Sequence, residues 1–148
     1  MANIVRKVTI KAPVEKVFKL LVDPENWTKY VDNLIGVSDV SSPALEPGTT
    51  FNWEYRMIGM NLTGKGRVTE NIKDKVFVKK MEGSFPVTEK FIFTPLSNGN
   101  GTELTVEVMY DMPGKIMNAI SKSSVVEKLN QKEADGVLDR IKTLCEEL

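Results

Sequence analysis

Histidine is absent from the 148 residues, and cysteine occurs once, as Cys145. The first absence excludes a Ser-His-Asp triad, a Cys-His pair, a histidine general base and histidine-ligated zinc or iron. The second excludes an intrachain disulfide and any cysteine cluster for zinc or iron-sulfur. No metal and no cofactor is therefore expected. A surplus of charge is missing too: 20 basic and 20 acidic side chains cancel, which removes the phosphate attraction of a dedicated nucleic-acid binder or a polybasic membrane protein. No apolar run approaches the ~18 residues of a membrane span. The opening Met1-Ala2-Asn3-Ile4-Val5-Arg6-Lys7 lacks the apolar stretch of a signal peptide. The expectation is a cytoplasmic protein with neither nucleic acid nor an integral membrane as partner.

What is present is ordinary for a soluble globular chain, with 41% hydrophobic and 27% charged residues. At this length about two thirds of the unfolded surface can be buried, so no staple is needed. Residues 1–148 are expected to form one domain, as a monomer or weak homodimer.

The apolar period changes twice along the chain. Ile4, Val8 and Ile10 alternate with Val5, Lys7 and Thr9 as a first strand, with Arg6 interrupting the inward set. Pro13 suits the first helical position, and Val14, Val17, Phe18 and Leu21 follow at the spacing of one helix face. After Asp23-Pro24, a second short helix is predicted from Trp27, Tyr30, Val31 and Leu34. From Gly36 to Tyr110 the period is two, interrupted by Pro and Gly turn signals, which predicts about six antiparallel strands. Over Lys75 to Met81 the facing is open, because Val76, Phe77 and Val78 are consecutive. After Met112-Pro113-Gly114 the helical period returns, and Ala134, Val137, Leu138, Ile141, Leu144, Cys145 and Leu148 form one stripe. Gly136 within it signals close packing or a bend.

Three segments stand out: Ile10-Lys11-Ala12-Pro13-Val14-Glu15-Lys16-Val17-Phe18, Asp23-Pro24-Glu25-Asn26-Trp27 and Tyr110-Asp111-Met112-Pro113-Gly114. With the element order, they resemble the START-like (SRPBCC) superfamily, and within it the polyketide cyclase/dehydrase and lipid-transport branch. The resemblance covers nearly the whole chain. It implies an α+β helix-grip fold, a curved antiparallel β-sheet wrapped around a long C-terminal α-helix, with two short helices after the first strand. It also implies a hydrophobic small-molecule ligand, lipid-like or polycyclic, held between sheet and helix. The superfamily hosts carriers, receptors, cyclases and co-chaperones, so the fold does not choose among them.

Alternation brings Phe51, Trp53, Tyr55, Met57, Leu62, Phe91, Phe93, Val106, Val108 and Tyr110 to one sheet face, together with Val87 and Leu104. Glu89 shares that parity and offers a carboxylate to a ligand hydroxyl or amine. Met117 and Ile120, after Met112-Pro113-Gly114, complete the candidate ligand-binding set, and entry is expected by loop or helix motion near Met112 to Ile120. The alternative is a filled core, because every sheet needs one apolar face. Gly64 and Gly66 fall on the parity of Leu62 and Val68, which either leaves room or marks a bend. Met57, Met60, Met81, Met109, Met112 and Met117 supply adaptable walls or fill an irregular core.

Other patterns carry less. Gly59-Met60-Asn61-Leu62-Thr63-Gly64-Lys65-Gly66 nearly spells a phosphate loop, yet it lacks the final hydroxyl and precedes a strand. Lys65, Arg67 and Lys90 share outward parity and join Lys79 in at most a solvated basic patch. No catalytic residue is assigned. Glu89, Tyr110, Tyr55 and Arg56 are the groups able to polarise a carbonyl or move a proton, with Arg56 facing outward. Binding of a hydrophobic molecule ranks first, cyclase or dehydratase action second, and an interaction or co-chaperone role on the exposed helix face third.

Overall fold

The computed structural model describes residues 2–57, 59–83, 86–110 and 123–147. Strand β1 (Ala2–Ile10) leads into helices α1 (Val14–Val22) and α2 (Pro24–Tyr30). Six strands follow: β2 (Leu34–Ser38), β3 (Thr50–Met57), β4 (Met60–Ile72), β5 (Val76–Met81), β6 (Val87–Pro95) and β7 (Thr102–Tyr110). Helix α3 (Ser123–Glu147) ends the described chain. The expected Met117 and Ile120 lie outside the described residues, as do Met112 and the rest of the expected entry segment.

The seven strands form one antiparallel sheet in the order β1-β7-β6-β5-β4-β3-β2, so only the β1–β7 pairing joins strands distant in sequence. Register shifts at Leu34/Gly36 and at Val68/Glu70 break the ladder on β2 and β4. Such irregularities bend a strand and help curve the sheet. The architecture is the α+β helix-grip arrangement, with α3 across the concave face.

Local chemistry explains the helical corner. Pro13 caps α1 instead of opening it, its carbonyl accepting from Lys16 N at 3.1 Å and Val17 N at 3.2 Å. The last turn of α1 leaves carbonyls that no helical N–H can reach. Side chains of α2 meet them: Asn26 Nδ2 donates to Leu20 O at 2.8 Å, while Trp27 Nε1 and Tyr30 Oη donate to Leu21 O at 3.2 and 2.9 Å. Asp23 caps α2 through Glu25 N at 3.0 Å. Helix α2 stops at Tyr30, earlier than its apolar spacing predicts. Val31 is extended and Leu34 opens β2, because pairing with β3 outweighs the helical pattern.

Helix α3 buries Ala134, Val137, Leu138, Ile141 and Cys145 against β1, β7, α1 and α2. Polar contacts hold it to β1: Arg6 Nε meets Asp135 Oδ1 at 2.8 Å, and Lys142 Nζ donates to Thr9 O at 3.0 Å. Arg6, the interruption on the inward parity, is thus a tie to the helix. A Cβ at Gly136 would stand 2.9 Å from Arg140 Nη1, so the glycine leaves room for that guanidinium to fold back over its own helix. Arg140 Nε then donates to Tyr30 O at 2.8 Å, joining α3 to α2.

Candidate functional site

The concave face divides along its length. At one end aromatic rings meet directly: those of Phe18 and Phe93 lie 5.0 Å apart edge to face, and Tyr30 meets Phe91 at 6.3 Å. Ile10, Leu104, Ile141 and Cys145 are buried in the same cluster. At the other end the sheet and α3 fail to meet, leaving a cavity of about 120 Å³.

Strands β3, β6 and β7 bring seven of the expected residues to that cavity: Phe51, Trp53, Tyr55, Glu89, Val106, Val108 and Tyr110. Leu62, Phe91 and Phe93 face the same side and are buried but do not line the cavity, Leu62 standing opposite Tyr55 in the β3–β4 ladder. Met57 ends β3, and its side chain lies outside what is described. Further walls come from Ile4 on β1, Trp27 on α2, Val31, Leu34 and Val37 around β2, Met81 on β5 and Val87 on β6. Glu133, Ala134 and Val137 of α3 close it.

The glycines of β4 do not enlarge this space. Gly64 and Gly66 pair across the ladder with Trp53 and Phe51, whose rings lie over them. A Cβ on Gly64 would collide with Glu82 O and come within 2.7 Å of Trp53 Cζ2, and one on Gly66 would run into the Phe51 ring. Trp53 Nε1 donates to Lys65 O at 3.1 Å, which fixes its ring there. The missing side chains let two large aromatic walls lie flat on the sheet.

The interior also holds a charge pair. Lys79, on the strand whose facing the spacing leaves open, points inward instead of joining a solvated basic patch and is 3% exposed. It shares the parity of Phe77 and Met81, and sits directly opposite Glu89 in the β5–β6 ladder. Lys79 Nζ stands 3.2 Å from Glu89 Oε1 and 3.8 Å from the centre of the Trp27 ring. Burial lowers the Lys79 pKa, and Glu89 opposes that shift. The ring face attracts the ammonium as well. A signal for this was available. Once Phe77 faces inward Lys79 must also, and a buried Glu89 calls for a cation beside it.

A second pair borders the cavity on α3, where Glu133 Oε1 lies 3.4 Å from Arg140 Nη2 and Glu133 Oε2 accepts from Asn33 Nδ2 at 3.2 Å. Burial raises the Glu133 pKa, against the opposing charge of Arg140. Tyr55 is pushed up to about 12, by burial first and by Glu133 next, so it stays a neutral phenol. Arg56 is exposed and its Nε donates to Asn61 Oδ1 at 3.1 Å, outside the cavity. Among the described residues no helix is long and apolar enough to cross a membrane, and no group of three or more His, Cys, Asp or Glu could hold a metal ion.

Known structures share this architecture. The Zhui aromatase/cyclase of Streptomyces superposes with a TM-score of 0.78 at 12% identity, over 98% of this chain and 93% of that one. A START superfamily protein from Mycobacterium smegmatis gives 0.75 at 14%, covering 98% and 97%. A conserved protein from Geobacillus kaustophilus gives 0.78 at 14%, covering 97% and 95%. At such identities the likeness establishes the fold alone. No curated protein matches significantly. Residues 1–146 match the family described as polyketide cyclase/dehydrase and lipid transport, and the chain belongs to that family.

Proposed function

We propose that this protein binds a small hydrophobic molecule between the concave face of its sheet and α3, in the cytoplasm. The observation that carries this reading is the cavity of about 120 Å³, walled by Phe51, Trp53, Val106, Val108 and Val137. For scale, an engineered apolar cavity of ~150 Å³ stays dry and takes up benzene. A single ring or a short acyl segment therefore fits as the walls stand, whereas a polycyclic or long-chain guest requires them to move. Covering apolar ligand surface contributes roughly 25 cal/mol per Å². One chain supplies all the described walls, so a monomer suffices.

Native mass spectrometry of protein purified without denaturation tests this. A reproducible extra mass that disappears on organic extraction is the expected result. A bare polypeptide that also takes up no single-ring aromatic compound would refute it.

A second reading is cyclase or dehydratase action, favoured by the Lys79–Glu89 pair on the cavity wall, where an acid and a base stand 3.2 Å apart. Turnover of a polyketide-like substrate that is lost in Glu89→Gln, with binding retained, would select this reading over binding alone.

A further inference from the structure

The charges around the cavity cancel among themselves. Lys79 is matched by Glu89 at 3.2 Å, and Arg140 by Glu133 at 3.4 Å. Among the described residues a charged guest would find no counter-ion left for it: a carboxylate would face Glu89 and Glu133, an ammonium would face Lys79. Burying an uncompensated charge is far costlier than burying a neutral polar group with partners.

Hydrogen bonding is less complete than charge. Among the described residues no donor meets Glu89 Oε1 with hydrogen-bond geometry, although it is buried. The contact with Lys79 closes the distance but not the angles. Lys79 carries three N–H donors and no acceptor, and one side of its ammonium rests on the Trp27 ring. Among the described residues the wall therefore lacks one donor for Glu89, and Lys79 has an N–H that no described acceptor takes with hydrogen-bond geometry. A hydroxyl is the neutral group that does both, donating to the carboxylate while accepting from the ammonium.

Building on the binding reading above, we infer that the guest is an uncharged, ring-sized alcohol or phenol whose oxygen bridges Lys79 and Glu89 while its apolar body lies against Phe51, Val106 and Val137. The cavity volume sets the size, the cancelled charges set the neutrality, and the two polar ends set the hydroxyl.

Both tryptophans of the chain, Trp27 and Trp53, line the cavity, so their emission reports occupancy. The test is titration of the full chain with 4-methylphenol, toluene and 4-methylbenzoate, read by tryptophan fluorescence and calorimetry. The phenol is expected to bind about tenfold or more tighter than toluene, as a hydrogen bond to a charged group contributes, and the benzoate to bind weakest. Replacing the pair together, Lys79→Met with Glu89→Leu, should bring the phenol and toluene affinities level. Equal affinities in the unaltered protein, or a preference for the benzoate, would overturn the hydroxyl assignment and leave the binding reading standing. Failure of all three compounds to bind would remove the binding reading and this inference with it. The three-probe comparison on the unaltered chain decides the matter even where the double variant does not fold.

Discussion

Strand β6 carries Phe93 and Phe91 toward one end of the concave face and Glu89 and Val87 toward the other, and the two pairs meet different surroundings. The phenylalanines lie against Phe18 and Tyr30 in a closed cluster. Glu89 and Val87 stand at a cavity that continues past Val108 and Tyr110 on β7. The strands and the alternation are the same at both ends. What differs is the layer opposite: Phe18 of α1, the ring of Tyr30 and Ile141 and Cys145 of α3 are buried at one end, while Glu133, Ala134 and Val137 of α3 border the cavity at the other. Emptiness thus reflects how a rod meets a curved sheet, and the polar groups gather where packing stops.

The contrast makes four measurable predictions. Phe91 is 0% exposed, so Phe91→Ala should lower stability to denaturant by about 3 to 5 kcal/mol. A loss below about 1 kcal/mol would mean that the packed end is not packed. Next, Lys79→Met strands a buried carboxylate and should cost about 3 kcal/mol. Adding Glu89→Leu should recover most of that, and a double variant as unstable as the single one would assign the loss to packing instead.

Cys145 lies in the filled end, where burial lifts its pKa from 9.0 to about 11. The folded state then holds the thiol proton more tightly than the unfolded chain, so this contribution is complete below pH 9 and declines as pH rises through about 11. The stability difference between the unaltered protein and Cys145→Ala should narrow by about 1 to 2 kcal/mol over that window. A constant difference would count against thiol burial. The smallest stability effect belongs to the hollow end. Val108→Phe should cost less than the ~1 to 3 kcal/mol of overpacking a full core, because its ring has space to enter. It should also weaken ligand binding about tenfold or more, whereas binding that survives unchanged would locate the ligand elsewhere.

Much of this frame is legible in the amino-acid order, because period and parity are local properties. The inward sets of β3, β6 and β7, the buried face of α1 and the stripe on α3 all follow from spacing alone. Facing is lost where three apolar residues run together, and Val76-Phe77-Val78 hid the inward Lys79. The Lys79–Glu89 pair depends on the β5–β6 register, which the spacing within one strand does not reveal. Spacing likewise cannot separate Phe91 and Phe93 from Val106 and Val108, since all four obey the same alternation and only the opposite layer distinguishes packed from lining. Gly64 and Gly66 look like vacancies in sequence, yet the rings of Phe51 and Trp53 from the neighbouring strand occupy the place.

Diffraction from crystals held under xenon pressure bears on the division between the two ends most directly. Xenon enters dry apolar cavities and is excluded from close-packed cores. The expected result is one strong anomalous site bounded by Phe51, Val106 and Val137, with none between Phe18, Phe93 and Ile141. No xenon at the first position, or an equal site at the second, would contradict a guest chamber at one end of a filled core.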